Sequence, residues 1–279
     1  MRKSLKKRPR NRAGLFIFLV SAGLIILSGC DNQRAGRQFE QGKKLHAQGA
    51  YLEAIRSWEI ILSSWPQSDY ADQALHRIGT TYYVEMDQQD RALDAFTRLV
   101  KDYPKSQYAP EDLVLVADIY RGQRQFAKAL AEYCRFLELY PQDPNAVEIR
   151  YKTITCLFEV GEYQAMRVQA QDLIKKYPDS PYAGDCIFWL GESYYLERDH
   201  EKARAQFSEY LKKYPQGELA YKSWLSFARS LEEDNKLTDA IKIYQDLLKR
   251  YPSDKIIQSR LDSAQKRLSN RFDSGKSQE

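Results

Sequence analysis

Four cysteines and three histidines are the residues of this 279-residue chain best equipped for covalent or metal chemistry, and their spacing sets them apart from one another. His46, His76 and His200 are far apart in sequence, and no pair has the helical spacing that places two imidazoles on one metal ion. Surface positions are expected for all three. Cys134 falls at a repeat position held elsewhere by Glu59, Thr97, Ser208 and Gln245, which predicts exposure. A bridge from Cys134 to Cys156 stays open on spacing alone, beside the reading that Cys134, Cys156 and Cys186 are unpaired small residues. The chain has no glycine-rich phosphate loop, and its carboxylates fall where solvated helix faces are expected. No catalytic residue, metal site or cofactor is expected, because no role in an active site is filled.

Charge narrows the partners. The formal net charge is +5, but seven basic residues and no acidic one lie in positions 1–29, so the remainder is slightly acidic. A basic face able to neutralise phosphates is absent, and nucleic acid is not an expected partner. The basic stretch is followed by an apolar run, Ala13 to Leu27. That run is short of the ~20 residues needed to cross a bilayer but suits a secretory signal.

The elements that must position any site come from an internal repeat. An aromatic–proline pair recurs at Trp65-Pro66, Tyr103-Pro104, Tyr140-Pro141, Tyr177-Pro178, Tyr214-Pro215 and Tyr251-Pro252. The first two prolines are 38 residues apart and every later pair 37. A residue before proline is driven out of the helical region, so each pair ends a helix. Ser68, Ser106, Ser180 and Ser253 follow as candidate caps. Counted from each proline, positions +9, +12, +13 and +16 form a helical stripe, as in Leu75, Ile78, Gly79 and Tyr82. A second register joins a small, an aromatic and an aliphatic residue: Ala54, Trp58, Leu62; Ala92, Phe96, Val100; Ala129, Tyr133, Leu137; Ala203, Phe207, Leu211; Ala240, Tyr244, Leu248. The fourth unit departs from it, with Met166 for the alanine and Ala170 for the aromatic. Lys255 to Leu268 reads as a further amphipathic helix able to cap the stack.

Two resemblances follow from these residues. Leu27-Ser28-Gly29-Cys30 resembles the lipobox of bacterial lipoproteins, which implies cleavage before Cys30 and acylation of it. The repeats resemble tetratricopeptide repeats, and phrases such as Tyr177-Pro178-Asp179-Ser180-Pro181-Tyr182-Ala183 are similar to those of envelope repeat lipoproteins. Those include the D lipoprotein of the outer-membrane β-barrel assembly machinery and the repeat domain of the Tol-Pal coordinator. The resemblance implies an all-α, right-handed superhelical solenoid of about six helical hairpins plus a C-terminal capping helix. The expected organisation is a signal peptide at 1–29, a lipidated tether at 30–36, the solenoid at 37–271 and a disordered tail at 272–279.

A scaffold that binds protein or peptide is the expected function, in outer-membrane β-barrel assembly or, alternatively, in Tol-Pal or cell-wall coordination. The barrel-inserting subunit and unfolded outer-membrane proteins are the partners that the resemblance implies, with the membrane reached through the lipid. The outer membrane, on its periplasmic side, is the expected location. Asp31 directly after Cys30 resembles an inner-membrane retention signal, so the inner membrane is the alternative. The binding face is expected at positions +10, +14 and +17 of each first helix, where Tyr83, Tyr151, Phe158, Phe188 and Tyr195 supply aromatic rings for a groove.

Overall fold

The computed structural model describes residues 12–276, with side chains described for 30–271. Residues 1–11 and 277–279 lie outside that range, as do the side chains of the expected signal segment and tail. The described residues are helical throughout, in two compact units divided at Ile119 and Tyr120. The first unit holds α1 (Arg12–Ala47), α2 (Tyr51–Ser64), α3 (Ala71–Thr80), a π-helical turn (Thr81–Glu85), α4 (Gln89–Asp102) and most of α5 (Ala109–Gly122). The second holds the end of α5, α6 (Phe126–Leu139), α7 (Ala146–Glu159), α8 (Tyr163–Lys176), α9 (Ala183–Leu196), α10 (His200–Lys213), α11 (Ala220–Glu233), α12 (Leu237–Arg250) and α13 (Lys255–Lys276). Within each unit most consecutive helices pack against each other, as α1 does on α2 and α9 on α10.

The aromatic–proline pairs end helices as expected. Tyr177 has φ −133° and ψ 59°, outside the helical basin, while its N–H still donates to the Leu173 carbonyl at 2.8 Å. The serines behave differently from caps. Ser180 N–H donates to the Tyr177 carbonyl at 3.0 Å and its hydroxyl accepts from Tyr182 N–H at 3.1 Å, so it builds the turn before α9. The helix itself begins at Ala183 with no side-chain cap. Asp254, next to Ser253, does the work at α13 by accepting from Ile256 and Ile257 N–H.

In the α3–α4 and α9–α10 hairpins the glycine at +13 meets the ring of the second helix. A methyl group added to Gly79 would come within 2.5 Å of the Phe96 ring, and one added to Gly191 within 2.5 Å of Phe207. Those rings are completely buried, as are Tyr133 and Tyr244. The turn after each first helix contains one left-handed residue: Gly49, Asp87, Arg124, Gly161, Arg198 and Asn235. Its successor closes the turn. Gln125, Glu162, Asp199 and Lys236 N–H donate to the carbonyls five residues back, of Tyr120, Leu157, Tyr194 and Leu231.

The 38-residue interval has a local explanation. In that repeat Gln88 N–H reaches the equivalent Tyr82 carbonyl at 2.8 Å from six residues away. The extra residue is absorbed as the π-helical turn Thr81–Glu85, leaving the flanking helices in register.

Two further expectations give way. Residues 30–36, expected as a tether, are helical and belong to α1. Ala35 is fully buried there, and Asn32 exchanges hydrogen bonds with the side chain and N–H of Asp69 at 2.6 and 2.9 Å. A segment with core contacts and loop clamps folds with the first repeat. The histidines are also drawn inward: His76 is stacked on Tyr108, with Nδ1 2.6 Å from the buried Asp112 carboxylate. Burial pushes the Asp112 carboxyl above its ordinary pKa while the His76 bond opposes that rise.

At the C-terminal end, α13 lies on α12 and fastens to α11. The Glu232 carboxylate, buried at 4% exposure, accepts from Tyr244 at 2.6 Å and pairs with Arg267 at 3.3 Å and Arg260 at 3.5 Å. Burying a carboxylate this deeply is costly unless it is paired and hydrogen-bonded in this way.

Candidate functional site

The second unit carries an open cavity of about 410 Å³ on the faces of α7 and α9, with the end of α5 and the start of α6 at its rim. Its size lies in the range of ligand clefts. Phe126, Tyr151, Tyr182 and Trp189 give it aromatic walls; Arg121, Glu148, Lys152 and Glu159 give it charge.

The aromatic wall is held by a chain of hydrogen bonds. Trp189 Nε1–H donates to the Tyr151 hydroxyl at 3.3 Å, and that hydroxyl donates to Asp185 at 3.0 Å. Tyr182 stacks on Tyr151 with ring centroids 4.8 Å apart and planes 17° apart. Burial raises the Tyr151 phenol well above its ordinary pKa, so it stays a neutral donor. The cations are also engaged. Arg121 Nε donates to the Tyr133 hydroxyl at 3.2 Å, and Lys152 lies 3.0 Å from Glu148. With their polar tips occupied, Tyr151 and Trp189 offer ring faces to a ligand.

Of the five residues expected in a groove, only Tyr151 lines this cavity. Phe158 stands behind the wall, 4.7 Å from Trp189 between ring centroids. Phe188 is core: it is 6% exposed and packs 5.9 Å from the buried Phe207 ring. Tyr195 is covered by the Arg229 guanidinium 4.8 Å from its centroid. Tyr83 belongs to the first unit and sits in the π-helical turn, half-buried.

The cause of these displacements is a rotation of the open face. On α7 it runs through Glu148, Tyr151, Lys152, Thr155 and Glu159, centred about 50° round the helix from the expected stripe at 100° per residue. Sequence reasoning missed Trp189 at +11 for that reason, and Tyr182 and Phe126 because they lie outside the first helices on which the stripe was drawn. The clue was available as the spacing of Tyr182 and Trp189, seven residues apart on one face.

Among the described residues Cys30, Cys134, Cys156 and Cys186 form no disulfide. Cys156 lies fully buried under the cavity, and burial, aided by Asp185, pushes the Cys186 thiol up to about 12. Cys134 is half-buried rather than exposed. Among the described residues no group of three or more His, Cys, Asp or Glu is placed to hold a metal ion.

Comparison with known proteins assigns the repeat. A tetratricopeptide-repeat profile matches residues 73–106, 185–217 and 223–254, three separate helical hairpins. Those three hairpins resemble tetratricopeptide repeats. A similar fold is found in a solved tetratricopeptide repeat protein from Parabacteroides merdae, 15% identical with a TM-score of 0.56 over 88% of this chain and 93% of that one. PilW, a type IV pilus biogenesis factor, is 16% identical with a TM-score of 0.53, over 82% of this chain and 99% of that one. At these identities the likeness is one of fold. A second profile, that of an outer membrane lipoprotein family, matches residues 90–192. The outer membrane protein assembly factor BamD of Caulobacter vibrioides is 29% identical over 104 residues, 34% of this chain. The matched stretch is also 34% of that protein's length. The chain thus has a tetratricopeptide-like helical fold and resembles an outer membrane lipoprotein family and an outer membrane protein assembly factor over about a third of its length.

Proposed function

We propose that this chain is a lipid-anchored scaffold of the cell envelope that captures a segment of a partner protein in outer-membrane protein assembly. The aromatic cavity between α7 and α9 carries the reading: rigid rings whose polar tips are already bonded suit the burial of an apolar side chain from a peptide. The general tetratricopeptide profile passes over residues 107–184, while the outer-membrane lipoprotein profile includes them. The cavity's α7 side chains therefore fall where this chain departs from the generic repeat. Acylation of Cys30 supplies the tether, and the periplasmic face of the outer membrane is the proposed site of action. No enzymatic step is assigned.

A photo-crosslinking amino acid at Thr155, used in intact membranes, tests the reading. Crosslinks to an outer-membrane assembly component or its unfolded client are expected. Crosslinks confined to proteins of inner-membrane or cell-wall complexes would overturn the assembly role.

A further inference from the structure

We infer that the loop edge of the first unit bearing Trp65, Pro66 and Tyr103 rests in the headgroup layer of a phospholipid membrane. The inference depends on the proposed acylation of Cys30 and adds an orientation to it.

The helix α1 leaves no slack between the anchor and the repeats. Cys30 is followed two residues later by Asn32, about 3 Å along a helix. Asn32 is clamped to the loop between α2 and α3 by donating to the Asp69 carboxylate at 2.6 Å and accepting from Asp69 N–H at 2.9 Å. One turn on, Ala35 is fully buried and Gly36 lies under the Tyr70 ring. Phe39 then packs 5.6 Å from Tyr70. These contacts fix the anchored end of α1 to one edge of the unit, the edge where α2 ends and α3 begins. The next loop joins that edge, because the Tyr103 hydroxyl donates to the Pro66 carbonyl at 3.0 Å. An acylated Cys30 sits at the membrane surface, whose polar layer is roughly 5–8 Å deep on each side. The clamped loop is therefore held within that layer's reach.

The residue at this edge matches the location. The aromatic before proline is tyrosine in five repeats and tryptophan only at Trp65, in the hairpin beside Cys30. Trp65 is half-buried against the core of the unit, leaving part of its ring outward. Pro66, Gln67, Pro104 and Lys105 beside it are exposed. Tryptophan and tyrosine favour the membrane interface, where an apolar ring and a polar tip are both accommodated, and lysine reaches headgroup phosphate.

The test uses the full acylated chain in phospholipid vesicles carrying bromine near the headgroups, with tryptophan fluorescence as readout. Mass spectrometry of the N-terminal peptide is run on the same sample. With Cys30 acylated, the wild type should be quenched, and Trp65→Tyr should lose most of that quenching while keeping its melting temperature. Asn32→Ala combined with Asp69→Ala should also reduce quenching, by freeing the anchored end. An acylated protein in which Trp65→Tyr is quenched as strongly as wild type would overturn the orientation and leave the lipid anchor standing. Absence of acyl chains on Cys30 would overturn the anchor and the orientation with it.

Discussion

The fourth and fifth repeats, α7–α8 and α9–α10, solve one packing problem in opposite ways. In the fifth, Gly191 makes room for the Phe207 ring. In the fourth the sizes are exchanged: Ile154 stands at the glycine position and Ala170 at the ring position, both completely buried with Met166. The volume is supplied from the other helix, which keeps the interior close-packed. Thr153, at another core position of α7, returns its hydroxyl to the Ile149 carbonyl at 2.8 Å. The irregular repeat is therefore not a weak one. Its exposed face carries Glu148, Tyr151, Lys152 and Thr155 of the cavity, so the hairpin that departs from the pattern within also supplies the distinctive surface.

The largest effect should come from the regular repeat. Phe207→Ala empties a fully buried ring site opposite a glycine that cannot fill it, and should cost about 3–5 kcal/mol in chemical denaturation. A loss below half of that would mean that α9 and α10 can close over the gap. A smaller effect tests the exchange directly. Ala170→Phe alone should destabilise by about 1–3 kcal/mol through overpacking against Ile154. Adding Ile154→Gly should recover part of that loss, giving a favourable coupling between two changes that each harm the protein alone. Strict additivity would show that the two positions do not share one space.

Much of this architecture was legible because the repeat writes it several times. Helix ends follow from the pre-proline restriction, and the small–aromatic–aliphatic register from helical period. A subtler pattern was present as well. Arg91, Lys128 and Lys202 lie over the rings of Tyr82, Tyr120 and Tyr194, while the repeats with Leu157 and Leu231 have Ala165 and Asp239 at the cation's place. The 38-residue interval announced an extra residue, but whether a loop or a helix absorbs it depends on carbonyl partners that spacing does not reveal. The groove was harder to read. Phe188 and Tyr195 have the same composition and spacing as cavity residues, yet one is buried by Phe207 and the other covered by Arg229. Which face is open depends on how neighbouring helices rotate against each other, and periodicity within one helix carries no information about that. Ion pairs between repeats, such as Arg167 with Glu197 at 2.8 Å and Arg204 with Asp234 at 2.6 Å, were likewise hidden by separation in sequence.

Partner capture by the α7–α9 cavity is tested most directly by comparing two aromatic variants of the second unit. Trp189→Ala removes a cavity wall, whereas Tyr195→Ala removes a ring already covered by Arg229. Affinity for the partner identified by crosslinking, measured by calorimetry beside a melting curve for each variant, should fall at least about tenfold for Trp189→Ala, as for an aromatic hot spot. Tyr195→Ala should bind as wild type does. Equal affinity of Trp189→Ala and wild type, with both folded, would contradict the cavity as the binding site.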